Sequence, residues 1–358
     1  MNHPKFQSPD SPAIHVDEEK PIFIVGAPRS GTSLLREILN RHPRIGICDE
    51  TYFFYYIYWR RNKFGDLGNI DNRIRLVDTY LKLERINRLF TDTNQLREKL
   101  IARAEDYPSF FISLLSHYAS EKKKIRCGEK TPQHARHVET LCQMYPQSLI
   151  LHIVRDPRAV VESLSRMPWA SKNLVANSRD WRRLNFAAFK VSQLPNYLLV
   201  YYEQLVKDPV SQTERICEFL GEPFFPQMLV GEENGQREST AAEEWWFQRS
   251  KRGISEDKVN SWKDVLSQSQ IQIIEWIAQP MMKQFGYERT TQEPALAKKR
   301  LYLFGGWMTE LVDKLKQWKR LWYYWFRPIE IYNEEYYIDL RLQNSQEESI
   351  NGFEVTPG

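Results

Sequence analysis

Gly26-Ala27-Pro28-Arg29-Ser30-Gly31-Thr32-Ser33 has the spacing of a phosphate loop, G-x-x-x-x-G-K-[ST], with Thr32 in the lysine's place. Ahead of it, Pro21-Ile22-Phe23-Ile24-Val25 reads as a strand. Behind it, Leu34-Leu35 and Ile38-Leu39 recur at helical spacing. A strand, a glycine-bounded loop and a helix N-terminus together present backbone N–H groups to an anion. The missing lysine would have reached the β- and γ-phosphates, so its loss argues against ATP or GTP chemistry. The loop is expected to hold a nucleotide with a single 5′-phosphate.

Outward from the loop, strands alternate with helical patterns. The stretch 52–124 is mostly helical in pattern, with apolar residues at Ile74, Val77, Leu81, Leu96 and Leu100, and ends in Lys122-Lys123-Lys124. Ile125-Arg126-Cys127-Gly128-Glu129-Lys130-Thr131-Pro132 breaks that pattern. A second strand is expected over Ser148–Val154, running into Arg155-Asp156-Pro157-Arg158. There Asp156 is a natural N-cap and Pro157 suits the first helical position. A third strand is expected over Tyr197–Tyr202. This order predicts an α/β protein whose parallel sheet is covered on both faces.

The ends differ from the middle. Residues 1–20, rich in proline, serine and acid, read as a disordered lead-in without the apolar core of a signal peptide. After Tyr287, Trp307, Leu311, Leu315, Trp318, Trp322 and Trp325 recur in steps of three and four with Lys314, Lys316, Lys319 and Arg320 between them. This is an amphipathic aromatic and basic helix, suited to docking on the protein's own body, to a membrane surface or to a second copy.

The chain of 358 residues suits one domain with extensions: a lead-in 1–20, a main domain 21–290 and a C-terminal extension 291–358. A net charge of +4 is too small to indicate wholesale nucleic-acid binding, but it allows a local basic cleft. Cys48, Cys127, Cys142 and Cys217 are scattered, which fits reduced thiols in a cytoplasmic setting. His134 and His137 are three apart, but no neighbouring carboxylate or cysteine pattern completes a metal site.

Ligands of open α/β sheets bind beyond the carboxyl ends of the strands. Arg29 and Arg155 are both expected at that rim, with Ser163 two helical turns after Arg155. A nucleotide with separated 5′ and 3′ phosphates would satisfy both positions. These residues resemble the motifs of the sulfotransferase superfamily, which uses 3′-phosphoadenosine 5′-phosphosulfate (PAPS). Gly26 to Leu35 is similar to its 5′-phosphosulfate loop, and Val154-Arg155-Asp156-Pro157-Arg158 through Ser163 to its 3′-phosphate motif. Within the superfamily the chain looks most like the tyrosylprotein sulfotransferases. His42-Pro43, Cys48-Asp49-Glu50-Thr51, Tyr202-Glu203-Gln204-Leu205-Val206 and Phe219-Leu220-Gly221 match that group. Lys258-Val259-Asn260-Ser261 resembles its late nucleotide-contacting segment. The resemblance runs from about Pro21 to Tyr287.

The resemblance implies a three-layer α-β-α sandwich of the sulfotransferase and nucleotide-kinase type, with 52–124 as an acceptor-side insertion. It makes Glu50 the general base, with Asp49 departing from the family's first glutamate. Pro28, Arg29, Ser30, Gly31, Thr32 and Ser33 would hold the 5′-phosphosulfate, and Arg155 and Ser163 the 3′-phosphate. Tyr202, Lys258 and Ser261 would contact the nucleotide. Arg29 would also act in catalysis, and Lys130 would neutralise the leaving oxygen. The plainer alternative for Lys130 is a solvated lysine after a basic run. The acceptor hydroxyl is left open between a peptide tyrosine and a glycan or lipid-linked group. Glu243-Glu244-Trp245-Trp246-Phe247 reads either as an acceptor-side wall or as a partly buried patch. Two other classes stay in view: a phosphate-loop kinase or NTPase, and a non-catalytic nucleotide-binding protein.

Overall fold

The computed structural model describes residues 15–230, 254, 259–297, 299, 300, 302 and 304. The expectations for residues 1–14, 243–247, Lys258 and the aromatic segment 307–325 lie outside these residues. Five parallel strands, β1 (Asp17–Gly26), β2 (Ile45–Cys48), β3 (Arg126–Lys130), β4 (Leu149–Val154) and β5 (Tyr197–Tyr201), form one sheet in the order β2-β3-β1-β4-β5.

β1 is central, which explains its unbroken apolar run: a strand covered on both faces needs apolar side chains at every position. Ile22 and Ile24 belong to the core shared with Leu35 and Ile38 of the helix Thr32–Asn40 and with Ile216 and Leu220 of the helix Pro209–Leu220. Phe23 and Val25 belong to the opposite core, with Phe111 and Leu115 of the helix Tyr107–Glu121. All four β1 side chains are at most 1% exposed. Full burial of such a side chain contributes roughly 1.5–3 kcal/mol, so β1 is a firm base for the loop that follows it. The result is the expected three-layer α-β-α sandwich.

The helical stretch after β2 is set by its caps. Asn69 opens the helix Ile70–Leu81 by accepting from the N–H of Asp71, and Asp92 opens Thr93–Arg103 by accepting from the N–H of Gln95. Asp106 and Ser109 form a reciprocal capping box at the start of Tyr107–Glu121. Each such cap contributes about 1 kcal/mol.

Two boundaries and two further strands differ from expectation. The sheet begins at Asp17, whose N–H donates to Ile125 O at 2.7 Å, so residues 17–20 belong to β1 and not to the lead-in. β5 ends at Tyr201, because Tyr202 opens the helix Tyr202–Lys207. β2 and β3 carry no strand signal. They are four and five residues long, and β3 buries Arg126, Glu129 and Lys130 in place of an apolar alternation. Gly128 in β3 has no side chain for a steric reason: a Cβ there would stand 2.3 Å from the carbonyl oxygen of Ile22.

Candidate active site

β1 delivers the loop to the rim of the sheet. Gly26 pairs with Ile153 of β4, and a Cβ on Gly26 would lie 2.3 Å from the Ile153 carbonyl oxygen. Gly31 (φ +97°) caps the helix Thr32–Asn40, and a Cβ there would lie 2.5 Å from Cδ2 of Tyr202. Arg29 also takes a left-handed backbone, φ +71°, which is costly for a residue with a Cβ and is held by its surroundings. Ser30 is fully buried, and its hydroxyl has no hydrogen-bond partner among the described residues. A buried hydroxyl without a partner, inside a loop that ends at a helix N-terminus, fits an anion accepting from it.

The second motif meets the first. Arg155 leaves the end of β4, donates to Arg29 O at 3.3 Å, and lays its guanidinium 4.2 Å over the Tyr202 ring. Its own carbonyl accepts from Trp181 Nε1 at 3.0 Å. Arg29 Nε donates to Ser163 Oγ at 3.1 Å. Arg29, Arg155, Ser163 and Tyr202 are therefore one cluster, as expected. The helix Pro157–Ser165 that carries Ser163 is fixed at its start: Asp156 Oδ1 accepts from Arg158 N–H. Arg158 lies buried between Asp156 and Glu275, 2.6 Å from each. Trp262, directly after Ser261, packs under the Arg158 guanidinium at 4.3 Å, which brings the Ser261 segment to this motif.

Glu50 and Lys130 are joined directly. Lys130 is fully buried, and its Nζ lies 2.7 Å from Glu50 Oε1 and 2.8 Å from Asp49 Oδ1. The solvated alternative for Lys130 fails because β3 points its side chain at the two carboxylates that follow β2. Arg85, from the short helix Glu84–Asn87, donates to Glu50 Oε2 at 3.0 Å and covers the Tyr52 ring at 4.5 Å. The Tyr52 hydroxyl donates to the same oxygen. Burial pushes the Glu50 carboxyl up, but the charges of Lys130 and Arg85 outweigh it and hold Glu50 below the ordinary glutamate value. Burial likewise opposes ionisation of Asp49, and Arg36 and Lys130 overcome it and hold that carboxyl far below the usual range. For Lys130, burial favours loss of the proton; Asp49 and Glu50 more than compensate and keep the ammonium charged.

A second buried carboxylate holds this arrangement. Glu129 Oε1 accepts from the Thr51 N–H at 3.1 Å, from the Thr51 hydroxyl at 2.8 Å and from the Thr131 hydroxyl. Its other oxygen lies 3.0 Å from His134 Nδ1. Tyr80 donates to the Thr51 carbonyl at 3.0 Å. His134 thus serves Glu129, while His137 packs on Phe54 and accepts from Trp59 Nε1 at 3.3 Å.

Sequence reasoning missed Arg85, Tyr52 and Glu129. Glu129 carried a signal, since it sits beside Lys130 in the motif quoted for it. Arg85 carried none, because only the fold of the helical insertion brings it to Glu50.

The site thus joins a glycine loop with an unpartnered buried hydroxyl, an arginine at the end of the neighbouring strand and a carboxylate beside a buried lysine. The chain belongs to the Sulfotransferase family, whose sequence pattern matches residues 21–227, and it is a sulfotransferase. It is 25% identical over 288 residues to protein-tyrosine sulfotransferase A of Caenorhabditis elegans, spanning 77% of this chain and 70% of that protein. Its fold is that of the sulfotransferase domain from the Synechococcus PCC 7002 olefin synthase, with a TM-score of 0.55 and 22% identity over 80% of this chain and 99% of that one. The sulfotransferase domain from the curacin biosynthetic pathway is similar at a TM-score of 0.52 and 21% identity, over 75% and 98% of the two chains.

Proposed function

We propose that the protein transfers a sulfuryl group from PAPS to the phenol of a tyrosine in a peptide or protein. The observation that carries this reading is the ionised Glu50, gripped by Lys130 and Arg85 on the same sheet that carries the Arg29–Arg155 anion cradle.

PAPS supplies an activated S–O bond. The loop from Pro28 to Ser33 holds the 5′-phosphosulfate, with the Ser30 hydroxyl and the helix N-terminus as donors. Arg155 and Ser163 take the 3′-phosphate. Tyr202 backs Arg155, and Ser261 reaches the same motif through Trp262. Glu50 accepts the phenolic proton as the new O–S bond forms. The S–O bond to the 5′-phosphate breaks, and its electron pair leaves with adenosine 3′,5′-bisphosphate. Lys130 and Arg29 offset the negative charge that develops on the leaving oxygen.

The depressed Glu50 favours a phenol as acceptor. A carboxylate below its ordinary value is a weak base, and proton transfer to it works best from an acidic donor. A phenol, with a pKa near ~10, is far closer to that range than a sugar or lipid alcohol. The relative in Caenorhabditis elegans, by its name, acts on protein tyrosine.

The test is transfer of labelled sulfate from PAPS to a panel of tyrosine peptides, glycans and hydroxylated lipids. Label on tyrosine peptides alone is the expected result. Label on glycans or lipids alone would replace the acceptor, and magnesium-dependent ATP turnover without sulfate transfer would replace the donor.

A further inference from the structure

Glu50 accepts three hydrogen bonds, and the three donors are not equivalent. Lys130 and Arg85 are cations that balance its charge, whereas Tyr52 is a neutral phenol. Tyr52 lies two residues from Glu50 and holds a left-handed backbone at φ +48°, a conformation that costs energy in a residue with a Cβ. Its ring is half-buried, lies under the Arg85 guanidinium, and meets Tyr56 edge-on at 6.0 Å.

We propose that Tyr52 is a resident stand-in for the acceptor: its phenol occupies the hydrogen-bonding position on Glu50 that the substrate's phenol takes, and it must withdraw for the substrate to bind. This rests on the reading of Glu50 as the base and of a phenol as the acceptor. An ionised carboxylate offers about four lone-pair sites, and three are already used. Removing a cation from this half-enclosed carboxylate would leave charge uncompensated, which is expensive. Exchanging one phenol for another returns the same bond, so Tyr52 is the donor that yields most readily. The strained backbone at Tyr52 gives it a reason to move, since leaving Glu50 lets the chain relax. In the resting enzyme Tyr52 keeps Glu50 oriented and satisfied. The exchange favours acceptors that restore a phenol hydrogen bond under a guanidinium.

The experiment is calorimetric binding of two synthetic peptides, one with a single tyrosine and one with phenylalanine in its place, to the full chain saturated with adenosine 3′,5′-bisphosphate. Tyr52→Phe removes the competing hydroxyl and keeps the ring. The expected result is tighter binding of the tyrosine peptide by roughly 10- to 100-fold, the equilibrium weight of one hydrogen bond to a charged group, with the phenylalanine peptide changed by less than about twofold. Equal tightening of both peptides, tightening of neither, or no binding of the tyrosine peptide to either protein would overturn the proposal. Thermal unfolding of Tyr52→Phe, compared with Tyr52→Leu, which also removes the ring beneath Arg85, separates a folding defect from this effect. Glu50→Gln measured in parallel keeps the two readings apart: full turnover there would remove the base, whereas lost turnover with an unmoved Tyr52→Phe affinity would remove the stand-in alone.

Discussion

Thr51 and Glu129 are 78 positions apart in the chain, yet Thr51 gives Glu129 both its backbone N–H, at 3.1 Å, and its hydroxyl, at 2.8 Å. Each is the neighbour of a group proposed to react: Thr51 follows Glu50, and Glu129 precedes Lys130. The bond between the neighbours therefore fixes the distance between the carboxylate and the ammonium. Adjacent residues of a strand point to opposite faces, so Glu129 can anchor from one side of β3 while Lys130 works on the other.

Glu129→Gln leaves one oxygen in place of two and turns a donor toward His134. A buried polar group left short of a partner costs about 1–3 kcal/mol, so the melting temperature should fall. The rate constant kcat should fall as well, because Glu50 loses its register with Lys130. A fall in stability with kcat intact, measured by thermal unfolding and by sulfate transfer, would make Glu129 structural only.

Glu50→Ala removes the proposed proton acceptor and leaves the loop and Arg155 in place. Turnover should drop by ~10²-fold or more, the usual contribution of a general base. Affinity for adenosine 3′,5′-bisphosphate, measured by calorimetry, should stay within about threefold, since neither phosphate site includes Glu50.

Arg155→Ala acts on the other half of the site. It removes the charged donor proposed for the 3′-phosphate and uncovers the Tyr202 ring. A charge-assisted hydrogen bond is worth about 1.5–3 kcal/mol, so affinity for adenosine 3′,5′-bisphosphate should weaken by roughly 10- to 100-fold. Adenosine 5′-phosphate, which lacks the 3′ group, should lose much less in the same titration.

Arg85→Ala tests the electrostatics through pH. Glu50 is held below the ordinary glutamate value, so the acidic limb of kcat/KM should lie below that value in the parent protein. Removing Arg85 takes away one of the two cations that lower it. The Glu50 carboxyl then rises and protonates earlier on acidification, so the limb should move to higher pH. A pH–rate profile that does not move would deny Arg85 this influence.

The parts of this design visible in the sequence were those with local signatures. β1, the glycine loop, the helix behind it and the Asp156-Pro157 start each declare themselves within a few residues. Arg29, Arg155 and Ser163 stood out because each lies in or beside such a segment, whereas Glu50 stood out only through the resemblance of Cys48-Asp49-Glu50-Thr51 to a family motif. β2 was hidden because it is only four residues long, and β3 because it is short and buried charges replace its apolar alternation. Arg126 shows why this is tolerated: it lies 2.8 Å from Glu222, so the charge is taken into the interior with its partner. Arg85 and the Thr51–Glu129 bond were illegible for another reason. They exist only after distant segments have met, and no local spacing records that meeting.

The strand order also sets a timetable for biosynthesis. β1, which bears the phosphate loop, leaves the ribosome well before both its neighbours in the sheet: Ile22 pairs with Gly128 on one side and with Leu149 on the other. Until β4 has emerged, the apolar run Ile22–Val25 has no finished place to lie. Pairing over such long separations forms slowly. The nascent chain must therefore carry β1 without its strand partners through synthesis of the entire helical insertion, so the helix Thr32–Asn40 on one face and Tyr107–Glu121 on the other are its shelter from aggregation in that interval.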